Sequence, residues 1–497
     1  MRQRLPFLAF FAFYLLFSLA TFRDFGPTWD EQDTYLEGAR LYDLLVQGKP
    51  MPFMDPEHSY PYAAFLHLFT APDHYETLHL LNLFFHVLVF WALFECLLSF
   101  CGSGLWALAG PVFLFLDLPY MGSIPANPKD MPFSLFYFLS LAVLYLFERV
   151  FPQLRFRWVF LGLLFGLTMG SRILGFTLLP LLVAYDTALF LMKGKKKGKG
   201  RKGWWKKKAW EWAGVFLLSQ LVCALAWPFI GADYFQHLPV VLWLSAHFPP
   251  KFSFLFMGGM SDSLTYPWYY LPLWILVTMP LFLVGFLAAA LAGLPKGWKD
   301  PFILLLAGAL GMNLGLYFLL HPAIYDGLRH FLFLLPLLAA LSAAGFISFF
   351  QDRKFDLPRK GVLVLGAISV LSTTMQMVRL HPYEYTYFNE LVGGFPGAYG
   401  RYETDYWVAS MKEAALWLRE NECKDPAKTY RVYADGKRFQ SETYFGPNMV
   451  FEPKKEKADY AIIMTRAGFK PDVSEMPKVI HRVEREGAPL SFIVKEP

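Results

Sequence analysis

Two adjacent carboxylates, Asp30 and Glu31, follow the first apolar segment in the stretch Phe25-Gly-Pro-Thr-Trp-Asp-Glu-Gln-Asp-Thr-Tyr35. A carboxylate at the lip of a site can take a proton from a hydroxyl. The same residues also suit a helix start, because Thr28 and Glu31 have capping-box spacing and acids favour the first turn. Capping accounts for Glu31 better than for Asp30. Neighbouring side chains on a helix point in different directions, so one can cap while the other faces a site. The residues that follow predict a helix lying on the surface, with Tyr35, Ala39, Tyr42 and Val46 on one face.

Three further stretches carry groups that could hold an anion. In Asn127-Pro-Lys-Asp130, Lys129 either snorkels to headgroups or acts as a point charge for a phosphate, while Pro128 and Asp130 also fit a helix start. Gly170-Ser171-Arg172 breaks a long apolar run, and its guanidinium either marks a helix end or forks onto a phosphate. Charges at membrane depth are functional by default, which favours the second reading. His321-Pro-Ala-Ile-Tyr325-Asp326-Gly-Leu-Arg329-His330 is a short polar link between long apolar segments, in which Asp326 and Arg329 could also pair. No carboxylate–histidine set there has metal-ligand spacing.

The elements that must position these groups are apolar helices. The 497 residues are 55% hydrophobic and 19% aromatic. A span needs ~20 apolar residues to cross a ~30 Å hydrocarbon core. Eleven segments qualify, near 5–22, 78–100, 104–121, 131–147, 157–170, 173–192, 209–230, 268–293, 301–320, 329–350 and 360–379. The fifth and sixth read as two short helices meeting at a surface, since one helix would overshoot and bury Arg172. The run Lys193–Lys208 carries ten Lys/Arg and no acid. Between two spans it reads as a cytoplasmic retention signal and not a nucleic-acid site. With Glu148–Arg157, Leu294–Asp300 and Gln351–Lys360 it places the N-terminus inside. Asp30, Lys129, Arg172 and Arg329 then all emerge on the external side. The first segment lacks a small-residue cleavage site and reads as an uncleaved span. The four cysteines form no disulfide framework or zinc spacing.

The fold expected is an α-helical polytopic membrane protein, residues 1–380, followed by a small extracytoplasmic α/β domain, residues 381–497. Ser410–Arg419 reads as its helix, and Tyr430–Tyr433, Asp459–Met464 and Leu490–Val494 as strands. Tyr383, Tyr385, Tyr387 and Phe388 read as an interfacial belt. The two halves show no internal repeat, which weakens the alternative of a transporter or flippase of a lipid-linked or anionic substrate. A receptor or scaffold would leave the clustered external charges unused.

At these residues the chain resembles the dolichyl-phosphate-mannose–protein mannosyltransferase superfamily, with its lipid A aminoarabinose transferases, membrane glycosyltransferases of the GT-C fold. The resemblance rests on Asp30-Glu31 after the first span, Asn127-Pro-Lys-Asp130, Tyr325-Asp-Gly-Leu-Arg329-His330 and Tyr402-Glu-Thr-Asp-Tyr-Trp407, in that order. The chain departs from it at His58-Ser-Tyr-Pro-Tyr62, where members carry a His-Pro-Pro-like stretch. The resemblance implies inverting transfer of a monosaccharide from a polyprenyl-phosphate sugar to a hydroxyl on a protein, lipid or glycan. Asp30 would be the base and Glu31 would orient it or bind the sugar. Lys129, Arg172, Arg329 and His330 would neutralise the leaving phosphate, with Asn127, Asp130, Tyr325 and Asp326 lining the site. No cofactor is implied beyond an optional divalent cation, and the location implied is a bacterial inner membrane.

Overall fold

The computed structural model describes residues 2–192, 199–246, 252–324, 326–351, 356–466 and 478–496. Tyr325 and residues 193–198 of the basic run lie outside the described residues. Among the described residues eight helices are long and apolar enough to cross a membrane: Arg2–Thr21, Tyr75–Cys101, Met131–Arg149, Ile173–Met192, Gly203–Ala226, Pro301–Leu320, Arg329–Gln351 and Lys360–Leu380. The chain is an integral, multi-pass membrane protein.

The remaining three apolar segments differ from single straight spans. Segment 104–121 is a pair, Gly104–Phe115 and Leu118–Ala126, bent by 61°. The bend falls where Asp117 accepts from the Tyr120 N–H at 3.3 Å and Pro119 opens a new helix. Segment 157–170 is a helix of only 15 residues, Arg157–Ser171. Segment 268–293 splits into Tyr270–Thr278 and Leu281–Gly297, because Pro280 lacks an N–H and pushes Met279 into extended backbone.

Arg329–Gln351 is the central helix, with 89% of its apolar window buried, against 11% for the peripheral Lys360–Leu380. Arg157–Ser171 packs closely on Lys199–Ala226 through Gly162, Gly166 and Gly170. A Cβ added at Gly166 would lie 2.4 Å from the Val222 Cβ, so only glycine permits this approach. That packing fixes the end of the shorter helix, where Arg172 leaves in extended backbone. Helix Lys199–Ala226 starts earlier than expected and includes the tail of the basic run. Lys208 is not solvated there. It is buried against Asp186 at 3.0 Å and Glu211 at 3.4 Å.

Two β-structures cap one end of the bundle. β1 (Ser253–Phe256) and β2 (Gly259–Asp262) form a hairpin that sequence periodicity does not show. The C-terminal sheet contains β3 (Tyr430–Ala434), β4 (Met449–Phe451), β5 (Tyr460–Met464), β6 (Val479–Arg485) and β7 (Ala488–Lys495), in the order β4-β3-β5-β7-β6. β3 runs parallel to β4 and β5, whereas β7 is antiparallel to β5 and β6. The expected helix appears as Met411–Asn421. Strands β4 and β6 were not legible in the alternation pattern, being short or facing solvent on alternate residues.

Tyr383, Tyr385, Tyr387 and Phe388 are no belt. All are at most 5% exposed, and the Tyr383 hydroxyl donates to Glu413 at 2.9 Å while that of Tyr385 donates to Asp405. The surface helix is Glu31–Gln47, but its buried face is Glu31, Thr34, Tyr35, Gly38 and Leu41. Val46 is exposed, because the helix docks through its first turns only.

Candidate active site

The loop before Glu31–Gln47 is clamped between the membrane helices and the C-terminal region. The Thr28 hydroxyl donates to the Ala126 carbonyl at 2.7 Å, at the end of the bent pair. From the other side the Gln440 amide donates to the Pro27 carbonyl at 3.1 Å, and the Trp29 N–H donates to the Trp407 carbonyl at 3.2 Å. This clamp decides which carboxylate is available.

Glu31 is spent on structure. Its side chain is 0% exposed. One oxygen accepts from the Thr28 N–H at 2.8 Å and hydroxyl at 3.0 Å, and the other lies 2.9 Å from His79 Nε2. Thr28 is not the N-cap expected of it: Asp30 holds that position without a side-chain cap bond, and Glu31, the first helical residue, reaches back to the Thr28 N–H. In this arrangement Glu31 anchors the loop.

Asp30 keeps 16% of its side chain exposed and accepts from Arg329. Burial pushes its carboxyl up, yet the charges of Arg329 and Lys129 hold it well below the usual carboxylate range. Arg329 stands at the start of the central helix, its guanidinium 4.5 Å from the Trp407 ring centroid. It reaches two more carboxylates, Asp130 at 3.5 Å and Asp326 at 3.6 Å.

Asp130 precedes helix Met131–Arg149, which is opened by Pro132 and not by Pro128. Asn127 orients it, donating to Asp130 Oδ2 at 2.9 Å while its own carbonyl oxygen accepts from the Asp130 N–H at 2.8 Å. Asn127 is therefore buried beneath the site. Arg172 donates to Asp130. Burial again pushes the Asp130 carboxyl up, but Arg172 and Arg329 hold it well below the usual range. The ammonium of Lys129 lies 6.0 Å from the Tyr60 ring centroid. Among the described residues it has no carboxylate within ion-pair reach, which leaves it available for an anion. Burial, with Arg172 and Arg329 nearby, lowers its pKa against the pull of Asp30 and Asp130.

Asp130, Arg172 and His330 reach a cavity of about 380 Å³ whose other walls include Phe133, Leu174, Leu316 and Phe331. It has a charged mouth and an apolar body, the shape expected of a site for a lipid with an anionic head. Sequence reasoning missed four contributors. His58 lines the mouth. Burial, then Lys129, lower its imidazole to about 4 despite the hydrogen bond with Asp55. Trp29 and Trp407 flank the cations. Arg466, just after β5, donates to both oxygens of Asp326 at 3.0 and 2.8 Å. Trp29, His58 and Trp407 lay in stretches that sequence singled out for other residues; Arg466 lay in none.

Among the described residues, Asp55, Glu57 and His58 are the one group able to offer three metal ligands within reach of one another. Lys129 and Arg172 stand close enough to depress His58, and the same two charges oppose a cation there.

No protein-family model and no curated protein matches the chain. Among solved structures it is similar to ArnT from Cupriavidus metallidurans bound to undecaprenyl phosphate, with a TM-score of 0.53 and 12% identity over 98% of this chain and 97% of that one. The apo state of the same protein gives 0.49 and 10%, over 98% and 96%. The archaeal oligosaccharyltransferase AglB from Archaeoglobus fulgidus, in complex with an inhibitory peptide and a dolichol-phosphate, gives 0.45 and 13%, over 90% of this chain and 64% of that one. The first likeness extends over nearly all of both chains and shows a shared fold, the GT-C fold expected from the sequence.

Proposed function

We propose that this GT-C-fold chain is a membrane glycosyltransferase that moves a monosaccharide from a polyprenyl-phosphate sugar to an acceptor hydroxyl, with inversion. The observation that carries the reading is the charge cluster that runs from Asp30 through Arg329 to Asp130 and Arg172, with Lys129 beside it, and opens through Asp130 and Arg172 onto a mostly apolar cavity. That ArnT is bound to undecaprenyl phosphate supports the class of donor.

In the proposed reaction the acceptor oxygen attacks the anomeric carbon as the bond from that carbon to the phosphate oxygen breaks. The acceptor proton passes to Asp30, and the polyprenyl phosphate leaves with one more negative charge than the donor carried. Arg172, Lys129 and Arg329 meet that growing charge, and a group that binds the transition state more tightly than the ground state accelerates the step. A carboxylate held by Arg329 is a weak base. A phosphate that draws Arg329 and Lys129 toward itself raises the basicity of Asp30, so the donor itself prepares the base. His330 sits at the cavity wall beside the phosphate cations, and Asp326 acts on Arg329 from the far side. The orientation we propose keeps the N-terminus cytoplasmic and the site and residues 381–497 extracytoplasmic, following the basic connections.

The test is sugar transfer by purified protein in nanodiscs, supplied with a panel of radiolabelled polyprenyl-phosphate monosaccharides and a membrane extract as acceptor. Transfer or donor hydrolysis that depends on Asp30 is expected. Movement of lipid-linked sugar between leaflets, without cleavage, would establish the transporter reading instead.

A further inference from the structure

Arg329 brings a single positive charge to three carboxylates, each facing a different guanidinium nitrogen. Asp30, Asp130 and Asp326 all lie within its reach. Asp130 has Arg172 and Asn127 as its own partners. Asp326 is 2% exposed and, among the described residues, has one other cation, Arg466, which donates to both its oxygens. Its position is set by the backbone. Asp326 and Gly327 take consecutive left-handed conformations, φ 53 and 68, and the Gly327 N–H donates to the Tyr270 hydroxyl at 3.1 Å. Asp326 therefore cannot withdraw from Arg329, and something must satisfy it in place. Burial pushes its carboxyl up, and among the charges that oppose this Arg466 comes before Arg329. Arg466 is also fixed on its other side, 5.6 Å from the ring centroid of Trp29, the neighbour of Asp30.

We propose that Arg466, carried by the C-terminal sheet, is a positioning residue for the reaction: by neutralising Asp326 it leaves Arg329 to Asp30 and the leaving phosphate. The C-terminal domain is then part of the catalytic apparatus, although it places no group on the reacting atoms. Without Arg466 the cation that remains beside the buried Asp326, among the described residues, is Arg329, 3.6 Å away. The guanidinium turns toward Asp326 and away from the place where charge develops.

The inference rests on the transferase reading, and the experiment separates the two. Arg466→Gln, Arg466→Lys and the double variant Arg466→Gln/Asp326→Asn are compared with wild type in nanodiscs for kcat, donor KM, undecaprenyl phosphate affinity and melting. For Arg466→Gln, kcat is expected to fall about 10- to 100-fold, the size of effect a ~1 Å misplacement produces, while donor KM changes less than about threefold. Affinity for undecaprenyl phosphate, whose head carries the extra charge, should fall about tenfold. Arg466→Lys should recover part of kcat by keeping the charge. The double variant should recover most of it, because Asp326 no longer draws Arg329 away from Asp30.

A domain that merely docks through Arg466 predicts lower melting with unchanged kcat, and no recovery in the double variant; either result overturns the proposal. If Arg466→Gln fails to assemble, the double variant should assemble, and failure of both overturns it equally. A wild-type protein that transfers no sugar refutes the transferase reading. The relay is then judged by undecaprenyl phosphate binding alone, where loss in the single variant and recovery in the double one sustain it, and their absence overturns it.

Discussion

Asp30→Asn removes one charge from a cluster in which three carboxylates, Asp30, Asp130 and Asp326, face four cations, Lys129, Arg172, Arg329 and Arg466. The amide oxygen can still accept from Arg329, which also keeps Asp130 at 3.5 Å and Asp326 at 3.6 Å. No buried charge is left alone, so the loss of stability should not exceed that of one charge-assisted hydrogen bond, roughly 1.5–3 kcal/mol. The net excess of positive charge rises, so undecaprenyl phosphate should bind at least as tightly as in wild type. Turnover should nevertheless fall by about 10²–10⁴, the contribution of a positioned base. The assay is release of radiolabelled sugar from donor in nanodiscs, with lipid binding and melting measured on the same preparation. Near-normal turnover in Asp30→Asn would remove Asp30 from the mechanism. Parallel loss of lipid binding and turnover would refute the division of labour between base and cations.

Glu31→Ala should act on folding, since it strands the Thr28 N–H and His79, at a cost of roughly 1–3 kcal/mol for each buried group left unsatisfied, seen in melting; Glu31→Gln in assembled protein should keep turnover within about tenfold of wild type, below the effect of losing a base. Arg172→Ala should weaken undecaprenyl phosphate binding by more than about tenfold, and Arg172→Lys should restore it only in part, because an ammonium cannot fork onto Asp130 and a phosphate together. His381 bonds Glu384 at 2.6 Å and Asp24 at 2.9 Å. Burial lowers its pKa, but those two acids raise it from 6.5 to about 9. The folded value lies above the unfolded one, so the stabilisation is complete below about pH 6.5 and disappears as pH rises through about 9. Melting of wild type should fall across that window, and His381→Asn should flatten the decline.

The apolar segments, their order and the break at Arg172 were legible in the sequence, because a membrane demands long apolar helices and leaves few ways to read them. So were Asp30, Lys129, Asp130, Arg172 and Arg329, since charged residues at span ends stand out against an apolar background. The strands Tyr430–Ala434, Tyr460–Met464 and Ala488–Lys495 showed themselves by β-branched and aromatic runs. Tertiary structure decided what adjacency in sequence could not. It buried Glu31 against His79 and turned Asp30 toward Arg329, because the Ala126 carbonyl and the C-terminal region clamp the loop between them. It buried the tyrosines after His381, and the hydroxyls of Tyr383 and Tyr385 find acids contributed from residues 413 and 405. It brought in Arg466, one arginine among many by sequence, which matters only because β5 ends beside Asp326. Local pattern records which side chains can carry charge; which charges meet depends on contacts across hundreds of residues, and Asp30 and Arg329 are 299 positions apart.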